Sequence, residues 1–138
     1  MLDETDTAAE ATGRKLARVG MGGSLVGVGV LHFLAPRSFE SIVPEELPAK
    51  SFLVYASGVV EIAGGVQLIR RPTRRLGLLL VALLLAVFPA NVNMAVRGLQ
   101  IEGLPPSPRW VAWARLPLQA VMIWAVLAVT DEPSDRAT

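Results

Sequence analysis

Five polar side chains stand where apolar surroundings would make their chemistry count: His32, Glu61, Asn91, Arg115 and Gln119 each fall within a run of otherwise hydrophobic residues. A carboxyl group can take up and release a proton, an imidazole titrates near neutrality, and a guanidinium offers a fixed positive fork of donors to an oxygen. Carboxamides such as Asn91 and Gln119 both donate and accept, which suits recognition of an oxygen-bearing head group. Ionised groups in hydrocarbon persist only when paired, solvated or needed for function, so Glu61 and Arg115 carry the most information. Other chemistries lack their residues. With no cysteine and one histidine, the chain cannot exchange disulfides, hold a cysteine-ligated iron–sulfur cluster, attach a c-type haem, or ligate haem with two histidines. A metal site would have to draw on carboxylates that lie mostly near the two ends, so none is expected. No self-sufficient catalytic constellation emerges, and any redox chemistry needs a partner or a diffusible cofactor. A net charge of +1, with no basic stripe interleaved with aromatics, argues against nucleic-acid binding.

The elements that must position these groups read as membrane spans. At 138 residues, 52% hydrophobic and with a mean hydropathy of +0.48, the chain is more apolar than a soluble core of its size requires. Four segments, 16–36, 51–69, 76–96 and 109–129, are each about long enough to cross a hydrocarbon core of roughly 30 Å. The expected fold is therefore all-α: a four-transmembrane-helix bundle over residues 14–130, with short loops and disordered polar tails at 1–13 and 131–138. The first tail is acidic, with Asp3, Glu4, Asp6 and Glu10, where a secretory signal would open with positive charge. Ala35-Pro36 ends the first segment, the turn Arg70-Arg71-Pro72-Thr73-Arg74-Arg75 separates the second from the third, and Pro105, Pro106 and Pro108 precede the fourth. A soluble bundle would need polar stripes at helical period, and the third segment has none. Gly23 and Gly27 have the GxxxG spacing, which predicts close approach of another helix, within the chain or in a homo-oligomer.

Basic loops are retained in the cytoplasm, which sets orientation. Arg14, Lys15, Arg18, Arg70, Arg71, Arg74, Arg75 and Arg136 share one face, against Arg37, Lys50, Arg97 and Arg109 on the other. Both termini are expected to be cytoplasmic, with Trp110 and Trp113 in an aromatic belt at the outer interface. The arginine turn also attracts anionic lipid.

Counting inward from the outer helix ends at about 1.5 Å per residue, His32 and Asn93 lie about 6 Å deep, Asn91 and Arg115 about 9 Å, and Glu61 and Gln119 about 15 Å. Polar groups of all four segments thus share the outer half. Arg115 and Gln119 project together, and Ser57, Glu61, Gly64, Gly65 and Leu68 form one small, polar stripe directed at the bundle interior. Asn91 and Asn93 lie about 200° apart, so at most one joins the cluster, and Asn91 is favoured. Pro89 and Pro117 free the carbonyls of Leu85 and Trp113, which predicts a kinked, cavity-lining region near Asn91, Arg115 and Gln119. Glu61 and Arg115 then form opposite walls of a ligand pocket, or else a buried ion pair that fixes helix register. His32, near a helix end, reads as snorkelling to the interface, with proton handling as the other possibility.

The segments Gly29-Val-Leu-His32-Phe-Leu-Ala-Pro36, Val43-Pro44, Ser57-Gly58-Val-Val-Glu61-Ile-Ala-Gly64-Gly65, Pro89-Ala90-Asn91 and Arg115-Leu-Pro117-Leu-Gln119, in that order, resemble the DoxX-like family of small four-helix membrane proteins. The resemblance implies a bacterial inner membrane and relatives that include a component associated with thiosulfate:quinone oxidoreductase. It also implies that His32, Glu61, Asn91, Arg115 and Gln119 occupy the family's recurring polar positions. The absence of cysteine and of a large outer domain departs from a sulfur-handling enzyme. Three functions follow as expectations. The first is an integral membrane subunit of a redox system that binds a quinone or similar ligand and receives electrons from a soluble or membrane enzyme. The second is a non-enzymatic scaffold or assembly factor. The third is a small proton-coupled transporter using Glu61.

Overall fold

A computed structural model describes residues 4–100 and 105–131, with side chains from residue 8 onward. The tail expected at 132–138, residues 1–3 and part of the loop before the fourth segment lie outside the described residues. Five helices, and no strands, occur among the described residues: α1 (Glu4–Leu34), α2 (Pro36–Glu40), α3 (Lys50–Arg70), α4 (Arg74–Arg97) and α5 (Arg109–Thr130). All but α2 are long and apolar enough to cross a membrane.

The last three spans match their expected ranges to within two residues, whereas the first element departs from expectation. Residues 4–13 are helical and not a disordered tail. Ala8, Ala9 and Ala11 are strong helix formers, and the Thr12 hydroxyl donates to the Ala8 carbonyl one turn back at 2.9 Å. Pro36 ends α1 and also opens α2, because its fixed φ is already helical and the first turn needs no N–H from it. The loop expected from Arg37 therefore contains a short helix. At the other connections, the Thr73 side chain accepts from the Leu76 N–H to cap α4, and Gly98 ends it in the left-handed conformation at φ 64°.

The spans run alternately up and down as two antiparallel pairs, α1 with α3 and α4 with α5. Glycines make the first pair close. A Cβ on Gly65 would lie 2.5 Å from the Gly22 carbonyl oxygen, and one on Gly58 would lie 3.0 Å from that of Gly29. Only residues lacking a side chain permit backbones this near. Gly23 and Gly27, whose spacing predicted the approach, face open space. The operative spacing is seven residues, 22 and 29 against 58 and 65, because α1 presents that stripe to α3. In the second pair, Gly77 leaves room for Thr130, whose hydroxyl donates to the Val126 carbonyl at 2.8 Å.

Two apolar clusters plug the bundle. Leu68, Leu76, Leu80, Val126 and Val129 fill the end that holds the α3–α4 turn. Ile42, Met94, Ala95 and Ala112 fill the opposite end beneath the α2–α3 loop. Outward faces are rich in exposed large apolar residues, among them Phe52, Leu79, Leu85, Val121 and Trp124. A face of this kind is solvated by lipid chains, and contact with a bilayer follows. Trp110 and Trp113 are both exposed at the start of α5.

Candidate functional site

Between the two plugs lies a polar layer, and it divides into two separate groups. The first joins α1 and α3. Glu61 and His32 are buried, at 7% and 6% exposure, so the expectation that His32 snorkels to the interface is overturned. Its Nδ1 lies 2.8 Å from the Val28 carbonyl oxygen and 3.4 Å from Glu61 Oε2. A carbonyl can only accept, so Nδ1 carries a proton and directs it at Val28. The Ser57 hydroxyl donates to Glu61 Oε1 at 3.0 Å, and Glu61 Oε2, although beside the imidazole, has no hydrogen-bond partner. The ring of Phe39, brought over by α2, stacks on His32 with centroids 3.8 Å apart. The result is a buried carboxyl with one oxygen held and one oxygen free, next to an imidazole of fixed orientation.

The glycine contacts explain how the pair meets. Gly29 sits beside Gly58 and Ile62, and Gly58 beside Gly29 and His32, so Glu61 is level with the Val28 turn and His32 stands about one helical turn further out. Side chains lean toward the N-terminus of their own helix. In an antiparallel pair, a residue further out on α1 leans inward while a residue further in on α3 leans outward. His32 reaches back to Val28 and Glu61 back to Ser57, and the two converge.

The second group joins α4 and α5 by the same geometry. Asn91 Nδ2 donates to Gln119 Oε1 at 2.9 Å, and Gln119 Nε2 donates to the Leu84 carbonyl. Pro89 cannot supply the N–H that the α4 ladder requires, and Gln119 brings a donor to the disrupted turn one residue from the carbonyl expected to be free. Asn93 points elsewhere, donating to the Ile42 carbonyl at 2.9 Å and fastening the α2–α3 loop to α4. The loop is tied there again by Arg97, 3.6 Å from both Glu45 and Glu46.

Arg115 does not pair with Glu61. It is half-buried on α5 and forms no ion pair or hydrogen bond among the described residues. Since α5 and α3 run in the same direction, the tilt that brings His32 to Glu61 leaves Arg115 and Glu61 offset. Of the five residues picked out from sequence, the structure thus joins His32 with Glu61 and Asn91 with Gln119, and leaves Arg115 single. Ser57 was read only as part of a small stripe and Phe39 was not singled out. The i to i+4 spacing of Ser57 and Glu61 was a usable signal for the first, whereas no local pattern marks Phe39.

Fold and polar layer together define a multi-pass helical membrane protein with a buried carboxyl–imidazole pair. Residues 21–130 match a family described as Domain of unknown function (DUF8561), and the chain belongs to it. No curated protein and no solved structure matches the chain.

Proposed function

We propose that this protein is the integral membrane subunit of a redox system, binding a quinone or a similar small ligand with an oxygen-bearing head group beside Glu61 and His32. The observation that carries this reading is the free Oε2 of buried Glu61. A buried acceptor without a partner costs about 1–3 kcal/mol, and a ligand hydroxyl donating to it would recover that cost. Ser57 holds the other carboxyl oxygen, the Val28 carbonyl orients the imidazole, and Phe39 covers the ring. Quinone reduction consumes protons as well as electrons, and Glu61 with His32 can hold and deliver the protons at the head group. Electrons come from a separate protein, since with no cysteine and one histidine the chain has no thiol pair, iron–sulfur cluster or bis-histidine haem to carry them. Arg115 forms no ion pair or hydrogen bond among the described residues and stands apart from this pair. The apolar outer faces suit a ligand that arrives through the bilayer with a hydrocarbon tail.

Resemblance to the DoxX-like family supports a bacterial inner membrane as the location. The excess of arginine at the end that holds the α3–α4 turn supports placing that end, and with it both termini, in the cytoplasm. A second reading, a scaffold or assembly factor without a ligand, is favoured by one observation. Asn91 donates to Gln119 and Gln119 to the Leu84 carbonyl, so this group closes on protein atoms.

Binding of a short-chain quinol, whose hydroxyl can donate to Glu61 Oε2, to purified protein in nanodiscs separates the two. Under the ligand reading the wild type binds, and Glu61→Gln weakens binding by about tenfold or more, as expected for a hydrogen bond to a charged group. Absence of binding to the wild type, or equal binding by Glu61→Gln, overturns it in favour of the scaffold.

A further inference from the structure

We infer that the end of the bundle carrying the α3–α4 turn holds an anionic phospholipid by its phosphate, with Arg18 of α1 as the inner contact and the arginines of the turn as the outer ones. The motivating observation is Arg18, whose Nε is buried without a hydrogen-bond partner and which forms no ion pair among the described residues. A buried guanidinium N–H without a partner among the described residues is a place for an anion.

Position supports the assignment. One turn inward from Arg18, Gly22 lies against Gly65 and Ile69, and Met21 packs on the cluster of Leu68 and Leu76. Arg18 is therefore level with the end of α3 and the start of α4. At that level Arg70, Arg71, Arg74 and Arg75 are all exposed, and none forms an ion pair among the described residues. Arg14, one turn further out on α1, reaches the Asp131 backbone carbonyl at 3.5 Å, a weak contact at the surface.

Chemistry selects the occupant. These guanidinium groups sit at the ends of spans, which is the depth of lipid head groups, and phosphate oxygens match the guanidinium fork. Exposed Leu78 and Leu79, on the first turns of α4, continue inward from the arginines and give acyl chains an apolar wall. A lipid satisfies both surfaces at once, whereas a free anion satisfies only the first.

The test uses the full-length protein in nanodiscs of phosphatidylcholine containing a small fraction of phosphatidylglycerol, with retained lipid counted by native mass spectrometry. Wild type is expected to retain phosphatidylglycerol in clear preference to phosphatidylcholine. Attraction of an arginine near a charged membrane surface corresponds to about fivefold in partition, so Arg74→Gln/Arg75→Gln should lower the preference roughly tenfold or more. Both side chains are exposed, so this variant keeps its fold. Arg18→Gln, checked for native helicity, should abolish the single most tightly held lipid and leave the looser population. Equal retention of the two lipids by wild type overturns the inference, as does retention unaffected by both variants. Thermal protection by inorganic phosphate equal to that by phosphatidylglycerol would also overturn it, because the site would then be one for a free anion.

Discussion

Gly58→Ala is the substitution that most directly couples the fold to the polar layer. Its added Cβ would lie 2.8 Å from His32 Cβ, 2.9 Å from a ring carbon of Phe33 and 3.0 Å from the Gly29 carbonyl oxygen. Ordinary contact begins near 3.4 Å, so α1 must withdraw by about 0.6 Å, and two of the obstructing groups are backbone or sit directly on it. Overpacking of this kind costs about 1–3 kcal/mol, offset by the roughly 0.5–1 kcal/mol that alanine gains over glycine in a helix. A net loss of about 1–2 kcal/mol is expected. The same withdrawal would widen the 3.4 Å gap between His32 and Glu61 to about 4.0 Å, the outer limit for an ion pair. Gly27→Ala is the control: its Cβ meets nothing within 4 Å, so only the helical gain applies. Reversible unfolding of the three proteins in one detergent measures the difference. If Gly58→Ala unfolds no more easily than Gly27→Ala, the close α1–α3 approach is wrong, and with it the account of how His32 reaches Glu61.

Two further substitutions test the rest of the layer. Gln119→Leu strands the Asn91 amide and the Leu84 carbonyl and should cost about 1–3 kcal/mol in the same assay, toward the lower end because unfolded membrane segments also find partners. An unchanged unfolding midpoint would remove Gln119 from its place at the Pro89 kink. Arg97→Ala loses two contacts to Glu45 and Glu46 whose side chains are 78% and 72% exposed, and should change stability by less than about 0.5 kcal/mol. A larger loss would show that the α2–α3 loop depends on these pairs more than on the Asn93 bond to Ile42.

The spans were legible because an uninterrupted apolar run has few alternatives, and their ends fell at Pro, Gly and Arg where punctuation is strong. A shared level along the bundle was legible too: His32, Glu61, Asn91 and Gln119 all fall between the two apolar clusters. Partnership was not, because a depth count treats each side chain as lying at the height of its own Cα. The lean of side chains toward their helix N-terminus closes a one-turn offset between antiparallel neighbours and preserves it between parallel ones. That is why Glu61 meets His32 and not Arg115, and why Asn91 meets Gln119. The glycine stripe was misread for a related reason: GxxxG spacing marks where helices can approach, but the face turned inward is chosen by the partner, and Gly58 and Gly65 select Gly22 and Gly29. The helical start at Glu4 was missed because acidic charge was weighed above the alanines that follow it.

The central claim is that the free oxygen of Glu61 receives a ligand group. Infrared difference spectra of the reconstituted protein, recorded on adding a short-chain quinol, report on that carboxyl directly. The account predicts a shifted carboxyl band that vanishes in Glu61→Gln and persists in Asn91→Leu. A carboxyl region that stays flat on ligand addition, or a band that survives in Glu61→Gln, would contradict it.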